Sequence, residues 1–209
     1  ALTDADFNVA VGTVALGSDT LGSRSTALGH ATLFSQNFTS ATDTYNVAVG
    51  YNAGQQVTTG IQNTLIGSLA GDALTTGGEN TAVGYLALST EDGHGTNTAI
   101  GNRTLMTQNA GANAHNTGVG HYAGTAITTG VENTLIGALA GDALTSSADN
   151  TAVGYQALGS ATTGNENTAI GHSALFTNIL SDRNVALGLD ALRNHNQASS
   201  IDSYNTAVG

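Results

Sequence analysis

The stretch NTAVGYLAL occupies Asn80–Leu88, NTAVGYQAL occupies Asn150–Leu158, and the last five residues, Asn205–Gly209, read NTAVG again. A recurring phrase must be given a period before any element is assigned, because the period separates helical arrays from β-solenoids. The pattern Asn-(Thr/Val)-x-(Val/Ile/Leu)-Gly starts at Asn8, Asn46, Asn63, Asn80, Asn97, Asn116, Asn133, Asn150, Asn167, Asn184 and Asn205, with a variant, STALG, at Ser25. Most starts are 17 residues apart; Asn97 to Asn116 is 19, and Ser25 to Asn46 and Asn184 to Asn205 are each 21. The added residues fall between motifs, where loop insertions are tolerated.

Seventeen residues are too few for a packed helix pair, and glycine at this frequency weakens helices. Inside the motif the side chains alternate: Thr81 and Val83 share one face, Ala82 and Gly84 the other. Short strands that each end at glycine and recur every 17 residues read as coils of an all-β parallel β-solenoid (β-roll), stacked at ~4.8 Å. The whole chain, residues 1–209, is then a single repetitive domain. A larger duplication lies above the coil, since Asn46–Gly101 resembles Asn116–Gly171 coil by coil. The motif that closes on Gly209 is read as a window on a longer fibre.

Stacking turns each coil position into a column. The eleven asparagines are expected to form a hydrogen-bonded ladder, each amide donating to one neighbour and accepting from the other. The Val/Ile/Leu column (Val49, Ile66, Val83, Ile100 and their equivalents) is expected to be the thin core. The opposite strand face carries Ala48, Gly50, Ala82, Gly84, Ala99 and Gly101. It either folds over its own coil or meets an identical chain about a symmetry axis. The second reading is preferred, because a coil this small buries little by itself.

A coupled substitution points to one shared interior. Eight residues into the coil stand Leu16, Leu33, Leu88, Leu105, Leu158, Leu175 and Leu192, but Gly54, Gly71, Gly124 and Gly141 replace them in four coils. Those four coils carry Val57, Leu74, Ile127 and Leu144 three positions later, where the leucine coils mostly have polar residues. One large aliphatic group fills the same space by either route, as close packing requires.

Composition narrows the functional classes. Of 209 residues only 9% are charged and four are basic, the net charge is −11, and cysteine and proline are absent. Phosphate binding needs clustered Lys and Arg, so nucleic acid is not an expected partner. No apolar run approaches the ~20 residues that span a bilayer, so membrane insertion is not expected either.

NTAIGHSAL (Asn167–Leu175) and its sister phrases resemble the head repeats of trimeric autotransporter adhesins and the similar repeats of bacteriophage tail fibres and other long surface fibres. The resemblance covers nearly the whole chain. It implies a left-handed roll, a homotrimer or homopolymeric fibre, and a role in attachment or spacing. The location it implies is extracellular, on a cell surface or on a virion. The chain departs from adhesin heads in its longer coil and its Thr-Thr-Gly loops, such as Thr58–Gly60 and Thr75–Gly77.

Catalysis needs unlike groups converging in a pocket, and a solenoid offers rows instead. The chain is therefore expected to be no enzyme and to need no cofactor. His30, His121 and His172 each follow the motif glycine, but in non-adjacent coils; in a trimer each could meet its symmetry mates at a metal. Carboxylates precede the motif at Glu79, Glu132, Asp149 and Glu166, which leaves Ca2+ as a candidate ion. The run Glu91-Asp92-Gly93-His94 does not match a calcium loop, and no zinc spacing is found. Asn37-Phe38-Thr39 is a glycosylation sequon in an insertion loop. The inserted loops, Gln36–Tyr45, Thr107–His115 and Asn194–Tyr204, are where ligand contact is expected, with surface glycans as candidate partners. An ice-binding or carbohydrate-binding solenoid is the alternative reading. Against ice binding stands the interruption of the motif threonines at Val9, Val47 and Val185.

Overall fold

A computed structural model describes residues 5–195 and 201–209, with only the backbone of Ile201. Among them there is no helix. Each motif contributes one three-residue strand. In chain order the strands are β1 (Val9–Val11), β2 (Gly22–Ser23), β3 (Thr26–Leu28), β4 (Thr42–Asp43), β5 (Val47–Val49), β6 (Thr64–Ile66), β7 (Thr81–Val83) and β8 (Thr98–Ile100). They continue with β9 (Thr117–Val119), β10 (Thr134–Ile136), β11 (Thr151–Val153), β12 (Thr168–Ile170), β13 (Ser181–Asp182), β14 (Val185–Leu187), β15 (Ile201–Asp202) and β16 (Thr206–Val208). Twelve of them form one parallel sheet in order of sequence, from β1 to β16; β2 pairs with β4 and β13 with β15 in two small sheets beside the long insertions. The chain is a β-solenoid of about 11 turns, roughly 17 residues apart.

Pairing is in motif register throughout: Thr81 lies opposite Thr98, Ala82 opposite Ala99 and Val83 opposite Ile100. Hydrogen bonds run along the rod in both directions. Thr81 N–H donates to the Asn97 carbonyl at 2.8 Å, and Gly84 N–H donates to the Ile66 carbonyl at 2.7 Å. The turns stack as well, since Leu88 N–H reaches the Thr104 carbonyl at 3.1 Å. Most of each coil's backbone is therefore satisfied by its neighbours, with short turn bonds such as Leu74 N–H to the Gly71 carbonyl at 3.2 Å closing it internally.

The coil closes through residues in the left-handed region. Leu86, Leu88 and Thr96 have φ of 56°, 52° and 66°, and the equivalent residues of other coils repeat these values. Such conformations are costly for non-glycine residues and persist only where the surroundings hold them, here by stacking on both sides. The motif glycine is a different case. Gly154 has φ of 135°, a region open only to glycine, and a Cβ there would lie 2.6 Å from the Gly171 carbonyl oxygen.

The structure reverses the expected faces of the strand. Ala27, Ala48, Leu65, Ala82, Ala99, Leu135, Ala152, Ala169 and Ala186 are fully buried, whereas Ile66, Ile100, Ile136 and Ile170 are 38–40% exposed. The Val/Ile/Leu column is therefore not the core, and the alanine face folds over its own coil instead of meeting another chain. The physical reason is space. Leu88, Leu105, Leu158 and Leu175 already fill the lumen from the far wall. The strand can add only a methyl group, and its larger side chains turn outward.

The Leu/Gly trade does report a shared interior. Val57, Leu74, Ile127 and Leu144 are fully buried, as are Leu33, Leu88, Leu105, Leu158 and Leu175 at the alternative position. A third residue joins the trade. Leu65 extends into the space beside Gly54 and Gly71, where an added Cβ would lie 2.6 Å and 2.8 Å from its methyl groups. Leu135 stands in the same relation to Gly124 and Gly141.

Candidate functional site

The motif asparagines are buried from Asn46 to Asn184 and half-buried at Asn8 and Asn205. Their bonding is continuous from Asn46 to Asn205. From Asn46 onward the Oδ1 of each accepts the backbone N–H of the next, as in Asn63 N–H to Asn46 Oδ1 at 2.9 Å and Asn150 N–H to Asn133 Oδ1 at 3.1 Å; at the Ser25 coil the column is interrupted, and Asn46 N–H donates to Thr44 Oγ1 at 3.4 Å. Nδ2 donates across the lumen to a turn carbonyl, Asn63 to Gly77 at 2.9 Å and Asn133 to Ser147 at 2.8 Å. Direct amide-to-amide bonds occur from Asn116 onward, for example Asn167 Nδ2 to Asn150 Oδ1 at 3.2 Å. The column pins strand to turn as well as coil to coil, and a buried amide needs both.

Polar residues on the far wall of the lumen feed into this column. Gln36 Nε2 donates to Asp19 Oδ2 at 2.7 Å, while its Oε1 accepts from Asn46 Nδ2 at 2.9 Å. Gln108 Oε1 accepts from Asn116 Nδ2 at 2.7 Å. Gln36 and Gln108, polar residues of the leucine coils, are thus interior groups bonded to the asparagine column, which the sequence pattern alone did not assign.

The outer sheet face is formed by two parallel columns. Thr64, Thr81, Thr98, Thr117, Thr134, Thr151 and Thr168 follow one another without interruption in register. Beside them runs the aliphatic column from Val11 to Val208, in which no member is buried. Tyr51, Tyr85 and Tyr155 are also exposed just beyond the strand ends. The histidines occupy the same column: His30 stacks on Tyr51 with centroids 5.2 Å apart, and His172 packs on Tyr155 at 5.2 Å. His121 packs edge-on against Tyr122 instead. The three histidines do not converge within one chain.

Glu79, Glu132, Asp149 and Glu166 are exposed and in the left-handed conformation. Glu166 is held below its ordinary pKa by a bidentate contact with Arg183, at 3.0 and 3.1 Å. Arg183 also bonds Tyr204 at 2.9 Å and pairs with Asp202, so a cation answers this carboxylate. Asn37 is exposed, with its Oδ1 accepting from Thr20 Oγ1 at 3.0 Å. The third insertion loop lies partly outside the described residues. Among the described residues no cavity or cleft opens. No known family model, curated protein or solved structure matches the chain.

Proposed function

We propose that this chain is a structural or attachment element, a stiff segment of an extracellular or virion fibre, built by self-association and without catalysis. The observation that carries the proposal is the aliphatic column on the outer sheet face. A lone exposed Ile is ordinary, but an unbroken row of Val, Ile and Leu along twelve paired strands is a contiguous apolar stripe of the kind that marks an interface. A second copy of the chain is the occupant that matches it, because a symmetric assembly sets equal-pitch rows against one another along their whole length. The self-association expected from the sequence is retained, but it moves from the alanine face to the Thr and Val/Ile face. The resemblance to trimeric adhesin heads and tail-fibre repeats makes three chains the favoured number.

Sedimentation equilibrium tests this directly. A mass near three times 20.8 kDa supports the trimeric rod. A monomer at all concentrations contradicts self-association and with it the fibre reading.

A second reading has one specific observation in its favour. Seven consecutive threonines stand outward on a regular parallel sheet, a surface suited to ordering water. The interruptions at Val9, Val47 and Val185 lie outside that run. A monomer showing thermal hysteresis would move the assignment to ice binding.

A further inference from the structure

The far wall of the lumen carries Leu74 in one coil and, 17 residues later, Glu91. The Glu91 side chain is fully buried, and its Oε2 has no hydrogen-bond partner. Its Oε1 accepts the backbone N–H of His94 at 3.3 Å, so half of the carboxylate is left unsatisfied in the lumen, a cost that Leu or Gln at the same position does not carry. Gln108, at this position in the next coil, has an Nε2 that is also unpartnered, so the two do not repeat the Gln36–Asp19 bond.

What faces Glu91 is His94. Its Nδ1 is buried, makes no hydrogen bond, and lies 3.4 Å from Glu91 Oε1. The two atoms stand close enough to share one cation, a proton or a metal ion. Asp92 completes the group: one ligand atom from each of Glu91, Asp92 and His94 falls within 4.8 Å of the others. The backbone that carries them is fixed, since the Asp92 carbonyl accepts from Thr75 Oγ1 at 2.8 Å.

We infer that Glu91, Asp92 and His94 form a binding site for a divalent transition-metal ion of the Zn2+ class, ligated by one oxygen of each carboxylate and Nδ1 of His94, with the fourth position open to water. The chemistry of the donors selects the ion. Imidazole with carboxylates suits Zn2+, whereas Ca2+ takes six to eight oxygens, and this group supplies too few. Bonds of about 2.05 Å at a tetrahedral angle place ligand atoms about 3.3 Å apart, close to the His94–Glu91 separation. The ion neutralises the lumen carboxylate from the surface side, where Asp92 is exposed and His94 partly so.

The test is isothermal titration of the full chain with ZnCl2, with CaCl2 as the comparison and Co2+ absorption as a report of geometry. One Zn2+ per chain is expected, with weak or no Ca2+ binding. His94→Gln, at a partly exposed position, should lower Zn2+ affinity at least about tenfold while the circular dichroism stays unchanged. Glu91→Gln should do the same, whereas His121→Gln should bind as the parent does. Absence of Zn2+ binding, or binding that survives both His94→Gln and Glu91→Gln, overturns the site. Binding of Ca2+ that is indifferent to His94→Gln overturns the choice of ion.

Discussion

A Cβ placed on Gly71 would lie 2.8 Å from Cδ2 of Leu65, so glycine at 71 is the counterpart of leucine at 65. Elsewhere the same space is divided differently: Ala152 and Leu158 hold the equivalent positions and Ala161 takes the place of Leu74. Leu65→Ala should therefore cost about 2–5 kcal/mol, as a large-to-small change in a closed core does. Adding Gly71→Leu and Leu74→Ala, which recreates the Ala152–Leu158–Ala161 arrangement, should recover part of that loss. The left-handed backbone at 71 already suits leucine, since Leu88 has φ of 52° and Gly71 of 55°. Urea unfolding of the three proteins checks this. A triple variant less stable than Leu65→Ala alone would contradict the shared-volume argument.

The motif glycine permits no such exchange. Gly154→Ala forces a residue with a side chain to a φ of 135° and drives its Cβ against the Gly171 carbonyl. A loss of about 3 kcal/mol or more is expected from the strain and the clash together. Because coils contact only their neighbours, the damage should be local. Hydrogen exchange should show lost protection in β11 and β12 before β5 or β6.

Asn133→Ala removes a donor to Ser147 and an acceptor for both Asn150 N–H and Asn150 Nδ2. Each buried group left unpaired costs about 1–3 kcal/mol, so a fall of about 3 kcal/mol or more is expected. Asn205→Ala, at a half-buried ladder end, should cost clearly less. Equal losses at the two positions, measured by urea unfolding, would argue against a lumen network.

Much of the fold was legible because a period is a strong signal. The 17-residue recurrence fixes coil number, strand position and register, and the Leu/Gly trade marks the lumen. The direction of the strand faces was not legible, because Thr-Ala-Val alternates equally well with either face inward. It is decided by how much room Leu88 or Leu158 leaves behind the strand, a tertiary quantity absent from any single motif. The run Glu91-Asp92-Gly93-His94 matches no calcium loop or zinc spacing, so motif reading does not mark it as a site. Its signal was positional: a carboxylate in the column that holds Leu74 and Leu144.

Burial raises the pKa of Asp72 and of Asp142, which occupy the same place in duplicated coils. A carboxyl with a raised folded pKa binds more protons folded than unfolded at pH values above its ordinary value of roughly 4. Its contribution to stability then falls as pH rises through that window. Asp72→Asn should remove this penalty, so the variant should gain in Tm over the parent as pH goes from 4 to 7. The difference between the two melting curves isolates Asp72 from groups such as Glu166, whose lowered pKa acts in the opposite sense. A Tm difference that is constant with pH would contradict the assignment.

The outer face supplies the prediction that bears on function. Ile100 and Ile136 are 39% and 40% exposed, at the middle of the aliphatic column. Replacing both with lysine puts two charges onto a stripe that otherwise carries none, while the lumen behind β8 and β10, lined by Ala99 and Leu135, is untouched. If this face joins copies of the chain, the double variant should sediment as a monomer with an unchanged β-sheet signal, because burying unpaired ammonium groups is far costlier than leaving them in water. Ala99→Lys should behave differently, since its side chain points into the lumen, and should unfold the coil. An Ile100→Lys/Ile136→Lys protein that still assembles would place the contact on another face. A loss of thermal hysteresis in a parent already monomeric would identify the same face as the one that meets ice.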